Sequence, residues 1–145
     1  MEIPRNNGNS YGHRLRISND EEIRDLRFVS ELGVTDIEVR GCQNATILRA
    51  PTNLRCLEHY PSGMKTAKGV ERIVGLERLQ IQDAQIVELN IRGLEKLTHI
   101  WVHNNKIRDM SAAEYLKAKG CISGTYSIKN QKEPSQEEID EARLW

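Results

Sequence analysis

Aromatic residues are scarce: one Phe, two Trp and four Tyr, 5% of 145 residues. They are not interleaved with basic residues, so no stacking platform for single-stranded nucleic acid is expected. Neither sign of charge dominates, since 21 Lys and Arg oppose 21 Asp and Glu. A net charge of zero excludes a partner held mainly by bulk charge, such as a nucleic-acid backbone or an anionic membrane. No apolar run approaches the ~20 residues of a spanning helix. The opening residues MEIPRNNGNSYGHR contain no apolar stretch of the kind a secretory leader needs. Only three cysteines occur, Cys42, Cys56 and Cys121, an odd number without paired spacing. They predict reduced thiols in a cytoplasmic protein, and neither a disulfide framework nor a zinc site. A phosphate-binding glycine loop, GxSxG and HExxH are all missing. Asn44-Ala45-Thr46 fits the glycosylation pattern but has no meaning without export.

The remaining composition, 38% hydrophobic and 29% charged, suits one modest domain with a core. Charge is uneven along it. Residues 1–40 carry six basic and eight acidic side chains, 41–75 five and two, 76–130 eight and six, and 131–145 two and five. Such bias is commoner in a solvated surface than in a recognition site.

A repeat of about 21 residues organises the chain. LTHIWVHNNKI, Leu97 to Ile107, places apolar side chains at Leu97, Ile100, Val102 and Ile107, with Asn105 between. LERLQIQDAQI repeats the arrangement with Leu76, Leu79, Ile81, Ala84 and Ile86. LRCLEHYPSGM offers Leu54, Leu57, His59, Ser62 and Met64, and VTDIEVRGCQN offers Val34, Ile37, Val39 and Cys42. GHRLRISNDEE is a degenerate copy with Leu15, Ile17 and Asp20. The strand-centre apolar position thus falls at 15, 37, 57, 79 and 100. The pattern L-x-x-L-x-L-x-x-N-x-L resembles the leucine-rich-repeat family, over roughly residues 15–120, and its best stretch is similar to the short repeats of internalins and phosphatase regulators.

The resemblance implies an α/β fold: a right-handed solenoid of about five repeats, with a curved parallel sheet and a C-terminal capping helix. Each unit is too small to bury its apolar side alone, so units stack on a shared core. The lane residue ordinarily bonds backbone groups of the tight turn after the strand. That lane reads Asp20, Cys42, Ser62, Ala84 and Asn105. Asn serves well, Cys weakly, Ala not at all. His59 stands where an aliphatic residue should point inward, and Pro61-Ser62-Gly63 interrupts the following turn.

Residues 1–11 are expected to be disordered, 12–120 to form the solenoid, and 121–145 to supply an edge strand and the capping helix. One cap is expected where Asn19-Asp20-Glu21-Glu22 opens a helix through Ile23, Leu26, Val29 and Leu32, closed by Gly33. Another is a capping box at Ser111 and Glu114, with Gly120 ending the helix. CISGTYSI, Cys121 to Ile128, reads as an edge strand or hairpin. Ser135 and Glu138 form a second box, starting a helix that presents Ile139, Ala142 and Trp145 to the solenoid end.

Side chains alternate along a strand, so the residues around each inward pair form columns on the outer face. These columns read Arg16, Glu38, Glu58, Gln80, Trp101; then Arg14, Asp36, Cys56, Arg78, His99; then Ser18, Arg40, Tyr60, Gln82, His103. Trp101 between two histidines is the exception on a polar face, and tryptophan is a frequent binding anchor. The opposing reading is that a neighbouring segment buries it. His99 and His103 lie ~13 Å apart along a strand, too far to share one ion, so no metal and no cofactor is expected.

The function expected is a protein-binding module, an adaptor, regulatory subunit, inhibitor or effector, that is not an enzyme. Its contacts are Trp101, His99, His103, Tyr60, Arg78 and Glu38; its partner is another protein, with neither nucleic acid nor membrane, and it is monomeric in isolation. Two alternatives stand beside this: a thiol-dependent enzyme using Cys56 and a face histidine, and a self-associating structural protein using an uncapped solenoid edge or the strand in 121–128. The loop 61–69, with Lys65 and Lys68, is either a flexible connector or a basic contact.

Overall fold

A computed structural model describes residues 14–27, 29, 33–42, 44, 51–59 and 64–144. The fold is α/β. Six strands, β1 (Arg14–Ser18), β2 (Asp36–Arg40), β3 (Cys56–His59), β4 (Arg78–Gln80), β5 (His99–Trp101) and β6 (Tyr126–Ser127), form one sheet in chain order. Every pairing is parallel. Two helices follow the fifth strand, α1 (Ser111–Lys119) and α2 (Gln136–Leu144). A 3-10 turn spans Val70–Arg72. Among the described residues, no helix is long and apolar enough to cross a membrane.

The register aligns Leu15, Ile37, Leu57, Leu79, Ile100 and Tyr126 across the sheet. The first five are buried, as are Ile17, Val39, Ile81 and Val102 two residues further on. His59 shares that inward row and is also buried. Strands of two to five residues cannot shield an apolar face alone, so one core extends along the whole sheet.

At the ends of β1, β2, β4, β5 and β6, what lets the strand end and the chain turn inward is a left-handed residue two places past the second inward position. It is Asn19, Gly41, Asp83, Asn104 and Asn130, with φ between 52° and 66°. Asn and Asp tolerate this region better than other non-glycine residues. At Gly41 a Cβ would fall 2.3 Å from Asn19 Oδ1, so any other residue there would displace the Asn19 side chain.

The residue after each left-handed one is the lane residue. Asn105 Nδ2 donates to the carbonyls of Ile81 (2.7 Å) and Val102 (2.8 Å), and its Oδ1 accepts the Ile86 amide (3.3 Å). Cys42 Sγ donates to the Arg40 carbonyl at 3.7 Å. Asp20 instead accepts the Glu22 amide, and Ala84 contributes only packing. Ser62 lies outside the described residues.

Several sequence expectations are corrected. The helix expected from Asn19 onward does not form over residues 20–26: Asp20 and Asp25 each capture an amide two residues ahead. Such local bonds compete with helical ones. The apolar rhythm still buries Leu26 and Val29; Leu32 lies outside the described residues. The box at Ser111 is also displaced. Met110 occupies the cap without a side-chain bond, and Asp109 Oδ1 accepts the Ser111 amide at 2.8 Å. Gly120 does end α1 in the left-handed conformation.

The second box is formed as expected, with Glu138 N donating to Ser135 Oγ (3.1 Å) and Ser135 N to Glu138 Oε1 (3.0 Å). Yet α2 is not an end cap. It lies beside none of the six strands. Glu138 pairs with Lys106, and Glu141 with Lys65 at 3.7 Å, so α2 crosses the flank where the strands end. No residue of α2 is buried, which suits polar docking and not closure of a core. Trp145 and residues 1–11 lie outside the described residues.

The sixth strand was half anticipated. Residues 121–128 supply an edge strand, but a parallel one, excluding the hairpin. Asn130 repeats the left-handed position of Asn104. Gln131 then repeats the bonding of Asn105: Nε2 donates to Val102 and Ile128 carbonyls (both 2.9 Å), and Oε1 accepts the Ile107 amide (3.0 Å).

Two stability outcomes are expected. Leu79→Ala should cost about 2–5 kcal/mol, because the core cavity it leaves is shared with both neighbouring strands. Denaturant titration checks this; an unchanged midpoint contradicts the register. Asn105→Ala should cost about 1–3 kcal/mol by leaving buried turn groups unpaired. Gln131→Ala should move stability the same way, whereas Ala84→Asn should be tolerated.

Candidate functional site

The outer face of the sheet has two halves of different chemistry. On β1–β3, arginines and carboxylates neutralise one another. Glu38, a candidate contact residue, is only 3% exposed. It accepts from Arg16 Nε and from Arg40 Nε and Nη2 (3.1 and 3.0 Å), while Arg14 Nη2 lies 3.7 Å away. The same Arg14 reaches Glu58 at 3.3 Å. Glu38 points outward as its parity requires, but it cannot itself meet a partner. A short carboxylate between long arginines is roofed by their guanidinium groups, which form strong charge-assisted bonds.

Cys56 sits beside this cluster and is buried, its Sγ donating to Glu58 Oε1 at 3.7 Å. Burial first, then the charges of Glu58 and Asp36, push its thiol up to about 12. A nucleophilic cysteine needs the opposite, a stabilised thiolate.

On β4–β6 the face is open and carries no carboxylate at its outward positions. Arg78 is exposed and has no ion pair among the described residues. Its neighbour in register is His99, whose ring stacks on Trp101 with centroids 5.7 Å apart and planes 19° from parallel. Thr98 Oγ1 lies 2.8 Å from His99 Nδ1. Burial, and secondly the charge of Arg78, hold His99 below the ordinary imidazole range.

Gly124 explains how the ring is placed. A Cβ there would fall 2.0 Å from His99 Nε2, so the imidazole lies against bare backbone. The ring is wedged between Gly124 and the Trp101 indole. Trp101 is half-buried, neither free in solvent nor covered. His103 stands one step further along, its Nδ1 2.7 Å from Ser127 Oγ.

Of the six residues singled out in the sequence, the structure groups Arg78, His99, Trp101 and His103. Glu38 belongs to the other half, and Tyr60 lies outside the described residues. Gly124, Ser127 and Lys129 were missed, because α1 widens the last interval and hides the match. The pair Asn130-Gln131, echoing Asn104-Asn105, was the available signal. In the 61–69 loop, Lys65 is turned toward Glu141 of α2.

Other chemistry is thinly supported. No group of three or more His, Cys, Asp or Glu side chains is placed to hold a metal among the described residues. A groove of about 580 Å³ opens on the flank between Glu88, Arg92, Arg108 and the start of α1. Its Asp109 is engaged by Ser111, whose hydrogen bonds hold the carboxyl below its usual range.

No family model matches this chain, and no curated protein matches it.

The thiols provide a direct check on the buried half. At neutral pH an alkylating reagent should modify the half-buried Cys121 first, and Cys42 and Cys56 only as the protein unfolds. Mass spectrometry of partly labelled protein reads the order. Rapid labelling of Cys56 in the folded state would show that the Glu58–Asp36 environment is not as described.

Proposed function

We propose that the chain is a leucine-rich-repeat solenoid, its six strands being six turns, and that it binds another protein through the outer face of its sheet. The 20–22-residue spacing of the first five strands, the recurrent left-handed residue and the lane bonds of Cys42, Asn105 and Gln131 support the fold reading. The widening to 26 residues before Tyr126 reflects insertion of α1.

One observation carries the functional reading: the wedged His99–Trp101 pair on a face with no internal counter-charge for Arg78. A large indole held in one orientation loses little entropy on docking, and buried aromatic anchors dominate binding energy. The protein acts as an adaptor, regulatory subunit, inhibitor or effector, monomeric by itself and without catalytic chemistry. Its reduced cysteines suit the cytoplasm. The thiol-enzyme alternative is weakened by the raised Cys56. Self-association through β6 is the surviving second reading, because that strand ends the sheet.

Capture from the native cell with wild-type protein and Trp101→Ala tests it. The substitution should weaken the captured partner by at least ~2 kcal/mol while the melting temperature moves little. Arg143→Ala, exposed on α2, which lies beside none of the strands, should leave affinity within a few-fold. Lys117 is a poorer control, because its ammonium lies over the Tyr126 ring. A Trp101→Ala protein that unfolds, or a partner footprint away from β4–β6, contradicts the proposal.

A further inference from the structure

We infer that the β4–β6 half of the outer face docks an acidic protein segment, with carboxylates meeting Arg78 and Lys129 and an apolar side chain lying on Trp101. This rests on the reading that the sheet face binds protein, and specifies what it binds.

The charge partition is the first support. On β1–β3 the outward Arg14, Arg16 and Arg40 pair with Glu38 and Glu58, and Asp36 accepts from Thr35 Oγ1 at 3.0 Å. On β4–β6 the fixed charges are Arg78 and Lys129, both exposed and of one sign. The remaining outward groups are amides, hydroxyls, imidazoles and the indole. Gln80 and Gln82 bond each other at 2.8 Å.

The acids that border this patch are engaged elsewhere. Glu58 is held by Arg14, Glu77 by Arg55 at 2.6 Å, and Asp83 accepts from Asn104 at 2.7 Å. The acidic C-terminal segment does not supply the counter-charge either. Its Glu138 and Glu141 are held on the flank by Lys106 and Lys65. Among the described residues these cations have no ion pair, so an acidic segment from outside supplies the missing counter-charge around the aromatic pair. Complementary charge of this kind speeds encounter and rejects basic competitors.

Two fixed cations also decide between classes of acidic partner. A nucleic acid is held by neutralising many phosphates, and this face offers too few cations for substantial counterion release. A peptide with two or three carboxylates around one apolar residue matches the face.

His99 adds a signature. The groups facing it are Arg78 from β4, Gly124 and Thr125 on the β6 side, and Thr98 and Trp101 on its own strand. None is an acid, and burial first, then the Arg78 charge, hold the imidazole below its ordinary range. An apolar side chain laid on Trp101 covers the stacked ring as well, so the His99 ring protons report docking.

Titration of the full chain with a synthetic peptide of glutamates flanking one leucine tests this, observed by NMR at the Trp101 indole N–H and the His99 ring protons. A lysine version of the peptide and oligothymidylate serve as competitors. The glutamate peptide should shift both signals. Arg78→Glu should weaken it about tenfold or more, and Arg143→Ala on α2 should leave it unchanged. No shift at millimolar peptide, or equal binding of the lysine peptide or oligothymidylate, overturns the inference. The two readings separate cleanly. A captured partner that covers Trp101 through a basic or neutral segment defeats the acidic-segment inference alone, and one that avoids the face defeats both.

Discussion

The turn after each strand is the constraint on which the rest of the structure depends. There the chain dives from the sheet into the core, and its peptide groups would be buried without partners. Two devices meet the need: a left-handed residue that makes the reversal, and a following side chain that bonds the exposed backbone. Asn105 and Gln131 perform the second task most fully, each joining its own strand to the one before. Because these bonds cross from turn to turn, they hold the strands in register. The aligned row of apolar side chains is the consequence.

Register then dictates the outer face. Columns of outward residues stand side by side, so each position is judged by its lateral neighbours more than by its own exposure. Glu38 is outward yet buried, because Arg16 and Arg40 flank it and close over it. His99 is held still by what Gly124 lacks. One half of the face spends its polar groups on internal pairs, and the other keeps Arg78 without a counter-ion among the described residues. That difference gives the two halves different capacities for recognition.

The flank obeys another balance. Helix α2 has too little apolar surface to join the core and is held by ion pairs with the turns. The bond from Lys106, followed by the Ser135 amide, lowers the Glu138 carboxyl to about 2. A depressed carboxylate stabilises the folded state above its ordinary range. That contribution fades as pH falls from about 4.3 toward 2. Loosening of α2 in acid would leave the sheet face intact, since α2 lies beside none of its strands.

Much of the fold was legible because hydrophobic spacing in a strand has a strict parity. The inward residues Leu15 to Ile100, and every outward neighbour from Arg14 to Trp101, follow from five apolar positions at near-constant intervals. The second capping box and the glycine at the end of α1 were equally local. Where local signals competed, the sequence was ambiguous. Asp20 and Asp25 can open a helix or tie turns, and burial of Leu26 and Val29 is compatible with either. The sixth strand escaped because α1 lengthens the interval before it, and only pairing with β5 identifies residues 126–127 as its continuation. By itself the sequence determined which side chains face the core and which face out. Tertiary structure alone decided which outward groups stay available, because that depends on the lateral reach of arginines, the close approach of His99 to Gly124 and the strand that brings Ser127 alongside Trp101. These are contacts between residues far apart in the chain, and no periodicity encodes them.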